Sequence, residues 1–315
     1  MTAIPVITEE PHASLWSDAW RRLLKNRLAT FGLVVIVLLV VVAVFGPYFT
    51  PYDFLSQDLA ARNQGPSLAH LFGTDDLGRD VLSRVIYGAR TALVVSLVVT
   101  VLAVAIGLVL GAVAGFFGGF LDRFVMWATD MTMSIPNLLL VVVFNASLKP
   151  PLTAWMESRY LATLNPVYRN TLWVDLVLVF GSMALITWPP YARLVRAQVL
   201  SIRSRPYVTA ARALGLSNRI ILMRYVIPNA LGPLIVAVSA GLGTAMVLES
   251  AFSFLGVGVN PPTPSWGRMI ADGLRVWQHY PHLLAAPAAV LGLATAAFSF
   301  LGDGLNDALN PRGQK

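Results

Sequence analysis

Six long apolar runs, separated by more polar segments, set the pattern of this 315-residue chain. They occupy residues 28–46, 91–120, 123–148, 172–188, 229–252 and 282–302. About 20 apolar residues in a helix cross a bilayer, so each run is a candidate membrane span. The runs contain few acids: Asp130 in the third, Asp175 near the start of the fourth and Glu249 near the end of the fifth. The pattern predicts an all-α polytopic membrane protein with six transmembrane helices.

The composition strengthens this prediction. Hydrophobic residues make up 56% of the chain and charged residues only 12%, whereas a soluble globular domain carries about 25% charged residues. The chain has no cysteine, which excludes disulfides, thiol catalysis and cysteine-based metal sites.

The basic residues orient the predicted spans. Arg21, Arg22, Lys25 and Arg27 precede the first run, so the positive-inside rule places the N-terminus in the cytoplasm. Six spans then return the C-terminus to the cytoplasm, and loop 189–228 lies on the same side. That loop contains no acid, and its seven arginines carry a charge equal to the net +7 of the whole chain. These are Arg193, Arg196, Arg203, Arg205, Arg212, Arg219 and Arg224.

The predicted spans divide the chain into five parts. The parts are a cytoplasmic N-terminal segment (1–27), a first transmembrane helix (28–47), an extracytoplasmic segment (48–88), a five-helix transmembrane domain (89–303) and a cytoplasmic tail (304–315). Within the N-terminal part, an amphipathic basic helix at residues 16–29, with Trp16 and Trp20, is expected to lie in the membrane interface.

Catalytic and metal-binding motifs are absent from the sequence. A Walker A loop needs a lysine directly after a glycine, but none of Lys25, Lys149 and Lys315 follows one. The four histidines form no H-E-x-x-H motif, and no G-x-S-x-G motif occurs. We therefore expect no catalytic residue, no metal site, no ATP bound through that motif and no nucleic-acid partner.

Two features inside the spans point to helix packing or to a polar site. Gly107, Gly111, Gly115 and Gly119 recur every four residues, a spacing that lets another helix approach closely. Asp130 has two open interpretations, because an intramembrane acid binds protons or substrate in some proteins and pairs with a neighbouring helix in others. We favour the pairing.

A basic stretch, YVTAARALGLSNRIILMRYVIPNA, fills residues 207–230 of the cytoplasmic loop. Its alanine-rich start favours a helix, which Gly215 is expected to end. Ser217 is a candidate N-cap for a second helix, and Pro228 falls where the fifth span begins.

The same stretch resembles the EAA motif (EAA-x3-G-x9-I-x-L-P) of permease subunits of ATP-binding-cassette importers. The match holds at Ala210, Ala211, Gly215 and Pro228. The chain departs from the motif at Thr209, Tyr225 and Ile227, which stand where the motif has Glu, Ile and Leu.

Three further segments resemble the second, C-type permease of the oligopeptide/dipeptide importers. They are HLFGTDDLGRDVLSRVIYGARTAL (70–93), SFLGVGVNPPTPSWGRMIADG (253–273) and LGDGLNDALNPR (301–312). We interpret the first as an outer amphipathic helix capped by Thr74 or Asp75 and residues 260–266 as a rigid outer loop. Residues 148–171 look like an insertion in an outer loop.

The resemblance implies a type I importer permease in a bacterial or archaeal plasma membrane. Its partners would be a homologous permease, two ATPase subunits that bind ATP and Mg²⁺, and an extracytoplasmic substrate-binding protein. The coupling residues would be Tyr207, Thr209, Ala210, Ala211, Arg212, Gly215, Arg219 and Pro228. Relatives carry dipeptides, oligopeptides, nickel chelates, glutathione or sugars. The alternative is a proton-coupled secondary transporter that uses Asp130.

Overall fold

A computed structural model describes residues 15–169, 172–259 and 261–309. The first part of the predicted N-terminal segment, 1–14, and the end of the predicted tail, 310–315, lie outside the described residues, as does the side chain of Asp175. In the described ranges the chain is helical and contains no β-strand, only an isolated bridge between Thr74 and Asp80.

The helices follow one another with short connections. Their bounds are α1 Leu15–Lys25, α2 Arg27–Phe49, α3 Val81–Phe117, α4 Gly119–Ser134, α5 Asn137–Thr163, α6 Leu172–Arg203, α7 Pro206–Ala213, α8 Asn218–Ile221, α9 Ile227–Phe254, α10 Trp266–Leu274 and α11 Pro281–Leu309. A π-helical turn, Leu222–Val226, joins α8 to α9 without a break. Short 3₁₀ turns occur at Leu59–Ala61 and Pro166–Arg169.

Five helices of the described chain are long and apolar enough to cross a membrane: Arg27–Phe49, Val81–Phe117, Asn137–Thr163, Asn218–Phe254 and Pro281–Leu309. The fourth predicted run lies in α6, which has 32 residues and spans about 48 Å at 1.5 Å per residue. The polytopic all-α fold is therefore confirmed, and the expected six spans are compatible with these helices.

The third predicted span is wrong in its bounds. Residues 123–148 are not one helix, because the chain breaks at Ile135 and Pro136 between α4 and α5. Proline has no N–H for the helix ladder and forces the preceding residue into an extended conformation. The candidate span shifts to Asn137–Thr163, and most of the expected outer insertion is simply the continuation of α5.

The expected outer helix also starts later than predicted. Its cap is neither Thr74 nor Asp75 but Asp80, whose Oδ2 accepts a hydrogen bond from the Ser83 backbone N–H at 2.7 Å. From there α3 runs without interruption into the second apolar run. Thr74 is instead buried within the preceding loop, where its hydroxyl accepts from the Gln64 N–H at 2.9 Å.

Helix α3 lies at the centre of the molecule, against α6 along much of its length and against α2, α9, α10 and α11 elsewhere. One apolar cluster joins the ends of α3 and α6 to α7 and α9. A second surrounds the fully buried Trp266, which begins α10 and donates its indole N–H to the Val85 carbonyl at 2.9 Å. Helix α6 carries two successive prolines, Pro189 and Pro190, in its interior.

Candidate functional site

The predicted coupling segment forms a short helix between two long ones. Helix α6 continues to Arg203, so the predicted loop 189–228 is shorter than expected and its first part belongs to the long helix. Helix α7 then starts at Pro206, whose fixed φ and missing N–H suit the first helical position. Nothing in this short element could bind a nucleotide phosphate through a lysine, since the segment contains only arginines as basic residues.

A glycine ends α7 with a defined hydrogen-bond pattern. The N–H of Gly215 donates to the carbonyl of Arg212 at 2.9 Å, and the N–H of Leu216 donates to that of Ala211 at 3.2 Å. These two bonds are the pair that defines a Schellman motif. Gly215 has φ +77°, a left-handed conformation that glycine adopts without steric cost. The sequence therefore sets the length of α7 and the direction in which the chain leaves it.

Two buried side chains of α7 pack against the ends of α3, α6 and α9. Val208 is fully buried and Ala211 nearly so, and both belong to the cluster formed by α3, α6 and α9. The Arg212 guanidinium lies over the ring of Phe116, 5.5 Å from its centroid. A cation over an aromatic face is attracted by the ring quadrupole, so α7 is tied to the last turn of α3 as well.

Arg203 ties the same helix end to α6. Its Nη1 donates to the Gly115 carbonyl at 2.9 Å, one of the α3 carbonyls that the helix itself leaves without a donor. The ends of α3, α6 and α7 therefore form one connected unit.

The opposite face of α7 is exposed. The uncovered side chains include those of Tyr207, Thr209, Ala210, Arg212 and Leu214. Leu214 is 81% exposed, more than Tyr207 at 38% or Met223 at 57% in the same segment. Leu214 is not among the predicted coupling residues. Its position directly before Gly215, which ends the helix, was the signal available in the sequence.

The remaining predicted coupling residues are Thr209 within α7 and Arg219 and Pro228 beyond it. Thr209, which stands where the EAA motif has Glu, places its hydroxyl within 3.4 Å of the Arg205 carbonyl of its own helix. Arg219 is exposed on α8, and Ser217 precedes α8 without a side-chain cap hydrogen bond. Pro228 is the second residue of α9, which directly follows the π-helical turn, so the residue without an N–H lies where the helix changes its hydrogen-bond pattern.

Three of the four predicted packing glycines lie against α6. A β-carbon on Gly107 would come within 2.6 Å of the Tyr191 Cβ, and one on Gly111 within 3.0 Å of the Val195 Cβ. Gly115 is similarly close to α6, with the Arg196 carbonyl at 2.9 Å from such an atom. This close approach lets the backbones of α3 and α6 pack tightly next to the coupling segment.

Gly119 does not belong to this row, which corrects the prediction. Helix α3 ends at Phe117, and Gly118 and Gly119 both have positive φ as the chain turns into α4. No neighbouring atom lies within 4 Å of where a Gly119 β-carbon would stand. The four-residue spacing is real in the sequence, but the helix that would make it a packing row stops two residues earlier.

Asp130 is paired with a basic residue of the neighbouring helix. Its carboxylate contacts the Arg193 guanidinium, and one turn along α6 the Arg196 guanidinium contacts Asp122 in the first turn of α4. The hydrogen bond from Arg196 lowers the pKa of Asp122 below its usual range. Arg193 and Arg196, which the sequence placed in the loop 189–228, belong instead to α6 and link it to α4.

Glu249 also differs from its expected environment. The predicted span placed it near the outer end, where solvation is easy, but its side chain is fully buried in α9. The Ser253 hydroxyl donates to its Oε1 at 2.6 Å, and the Ser250 hydroxyl lies 3.3 Å from Oε2. The signal available in the sequence was the spacing of four residues between Glu249 and Ser253, since such residues are neighbours on a helix surface.

Comparison with known proteins places the whole chain in one family. Residues 107–315 match the family described as binding-protein-dependent transport system inner membrane component, and residues 14–66 match the N-terminal TM domain of oligopeptide transport permease C. A dipeptide transport system permease protein of Alkalihalophilus pseudofirmus is 33% identical over 98% of this chain and 97% of its own length.

Two other relatives cover the chain equally well. The oligopeptide transport system permease protein of Bacillus subtilis is 35% identical over 96% of this chain and 91% of its own length. The glutathione transport system permease protein of Shigella flexneri is 34% identical over 99% and 95%, respectively. The chain therefore belongs to the inner membrane permeases of binding-protein-dependent ATP-binding-cassette importers, in the C-type group of the oligopeptide/dipeptide systems.

Proposed function

We propose that this chain forms one half of the translocation pathway of an ATP-driven importer of short peptides, and that α7 transmits the motion of an ATPase subunit to the spans. Short peptides are the favoured substrate class because relatives named for dipeptide, oligopeptide and glutathione transport all match the chain almost end to end, and glutathione is itself a tripeptide. The chain makes and breaks no covalent bond in this role.

The observation that carries the proposal is the two-sided environment of α7. One side is held by Val208, Ala211 and the Arg212–Phe116 contact against the ends of α3 and α6. The other side presents exposed side chains with Leu214 at their edge. A helix fixed to two spans and open to a partner moves with the spans as a rigid body when that partner moves.

Charge complementarity supports a protein partner for the exposed side. The segment from Arg203 to Arg224 has five arginines and no acid, and in the described residues Arg205, Arg219 and Arg224 form no ion pair within the chain. Such a surface favours an acidic groove on the partner and raises the association rate. ATP and Mg²⁺ are expected on two ATPase partners, and a homologous permease and a substrate-binding protein complete the importer.

The decisive experiment changes the exposed apolar contact alone. Leu214→Ser in the complete, reconstituted importer is expected to lower peptide uptake and peptide-stimulated ATPase activity by at least about tenfold, because a buried apolar anchor at an interface is worth 1–3 kcal/mol. Leu68→Ser is the matched control, since Leu68 is 99% exposed in the loop before α3, at the other end of that helix.

Both variants should insert and purify as well as the unchanged chain, because neither side chain is buried. Equal uptake by the Leu214→Ser and Leu68→Ser importers would exclude α7 as the coupling element. The substrate class is tested separately, by asking whether a dipeptide competes for uptake more strongly than glutathione does.

A proton-coupled secondary transporter is the second function considered. The Asp130–Arg193 pair counts against it, because an acid that pairs with an arginine of the next helix has a structural role already. Liposomes that contain only this chain should therefore show no peptide uptake when a proton gradient is imposed. Uptake under those conditions would replace the importer proposal with the secondary transporter.

A further inference from the structure

A small cavity lies at the far end of α3 from the coupling segment. It has a volume of about 130 Å³ and is enclosed by the loop before α3, the first turns of α3, and α10 with the start of α11. Its lining includes Asp75, Asp76, Arg84, Asp272 and Arg275. One water molecule needs only roughly 10–15 Å³ of such a volume, so the cavity has room for a larger polar group.

Arg84 is the unusual member of this lining. The residue is only 6% exposed, and in the described part of the chain its Nη1 has no hydrogen-bond partner. Its Nε lies 3.5 Å from the Asp75 carboxylate, which does not involve Nη1. A buried charged donor without an acceptor costs considerably more than an exposed one, so this nitrogen is suited to a ligand that supplies the acceptor.

The acids around the cavity already have arginine partners. The Asp75 carboxylate lies 2.8 Å from the Arg79 Nε, Asp76 lies 3.8 Å from Arg79, and Asp272 lies 3.3 Å from the Arg268 Nε. Arg275, by contrast, has no side-chain hydrogen bond or ion pair to any described residue. With its arginine partners included, the site has four arginines against three aspartates, and the donors left for a ligand are the buried Arg84 Nη1 and the exposed Arg275 guanidinium.

We propose that this cavity is a carboxylate-binding site, with the ligand's carboxylate held between the Arg84 and Arg275 guanidiniums. Guanidinium groups present parallel N–H donors that match the two oxygens of a carboxylate. The apolar side chains of Val81, Met269 and Leu283 complete the lining and accommodate a short alkyl portion. The carboxylate comes either from a free peptide or from an acidic side chain of a docking protein.

Binding of a small carboxylate tests the site without any assumption about transport. Trifluoroacetate is titrated against the purified importer in nanodiscs at pH 7, and its ¹⁹F line width is followed with acetate as the competitor. Broadening that acetate reverses is expected. Arg275→Gln should weaken binding about tenfold, since one charge-assisted hydrogen bond is lost. Because Arg275 is exposed, that variant should fold normally.

Two further variants complete the first arm. Arg84→Lys keeps the charge but loses the second donor of the fork, and should also weaken trifluoroacetate binding. Arg90→Gln is the matched control, since Arg90 is exposed on the same helix and does not line the cavity. Equal binding by the unchanged, Arg275→Gln and Arg90→Gln importers would mean that trifluoroacetate binds outside this cavity, and no broadening in any of them would mean that the cavity binds no carboxylate. Either result would overturn the proposal.

A second arm distinguishes the two sources of the carboxylate, and only this arm rests on the proposed peptide import. If the source is the peptide, alanyl-alanine displaces trifluoroacetate but its C-terminal amide does not. If the source is a docking protein, Arg275→Gln and added acetate each weaken association of the importer with its substrate-binding protein. Either result supports the site. Failure of uptake in a Leu214→Ser importer that still binds trifluoroacetate would separate the coupling role from this one.

Discussion

The two ends of α3 treat polar groups in opposite ways. At its start, Asp80 caps the helix through the Ser83 N–H and also lies 3.0 Å from the His70 ring, all within a largely buried environment. At its end, the Phe116 ring receives Arg212 and the Gly115 carbonyl receives Arg203, while the face of α7 opposite Val208 and Ala211 is exposed. Apart from a few buried atoms such as the Arg84 Nη1, the first end satisfies its polar groups inside the chain, and the other leaves most of its cations available.

The two ends of α3 therefore meet different requirements: one end must keep a fixed geometry, and the other must be able to bind a partner. A closed network resists movement because every displacement breaks several hydrogen bonds in a low-dielectric environment. An exposed basic helix has little internal structure to lose when a partner binds it. The start of α3 is therefore suited to holding a fixed geometry, and its end is suited to docking.

The largest expected effect lies at the closed end. Trp266→Ala should lower the free energy of unfolding by about 4 kcal/mol, because it removes a fully buried indole and its hydrogen bond to the Val85 carbonyl. Thermal unfolding in detergent measures the loss. Trp266→Phe keeps most of the volume and should cost about 1 kcal/mol. If the two variants were equally stable, the buried cluster around α10 would not hold this end.

A smaller effect is expected between the two ends, in the glycine row. Gly111→Ala should lower the free energy of unfolding by about 2 kcal/mol, since the added methyl would stand 3.0 Å from the Ala192 Cα and would push α6 away. Gly181→Ala in α6 is the control, because nothing lies within 4 Å of its new methyl. That control should be neutral or slightly stabilising, and the same thermal unfolding assay compares them. A large loss in the control would show that helix contact is not what distinguishes Gly111.

The smallest effect is expected at the open end. Gly215→Ala should destabilise the end of α7 by about 1 kcal/mol, since φ +77° is strained for alanine. Hydrogen exchange of the α7 amides should then accelerate about fivefold, while the amides of α3 exchange as before. Gly215→Asn should show less acceleration, because asparagine tolerates the left-handed region better. Unchanged exchange in the alanine variant would contradict the role assigned to the Schellman turn.

The sequence was sufficient wherever a local signal determines the structure. The apolar runs predicted the long helices, and Gly215 predicted the end of α7, because a helix that must stop in the left-handed conformation needs a glycine at that position. Gly107, Gly111 and Gly115 lie where the four-residue spacing placed them, on one face of one helix.

The sequence was insufficient wherever distant residues decide. Asp80 lies only five residues after Asp75, and Thr74 or Asp75 has an equally good cap signature until the loop folds around Thr74. Likewise, Arg193 and Asp130 are 63 residues apart, so their pairing depends on how α4 packs on α6. Pro136 marked the break before α5 in the sequence, but the long apolar run around it favoured the prediction of one continuous span.

The two prolines inside α6 give this helix an uneven stiffness. Neither Pro189 nor Pro190 has an N–H, so the carbonyls of Leu185 and Ile186, four residues earlier, receive no bond from the helix ladder. Bending α6 at this level breaks no backbone hydrogen bond at either position. Helix α6 therefore consists of two rigid halves that meet at a hinge about midway along its length. A force applied at Arg203 would tilt the half after Pro190 while the half before Pro189 keeps its position.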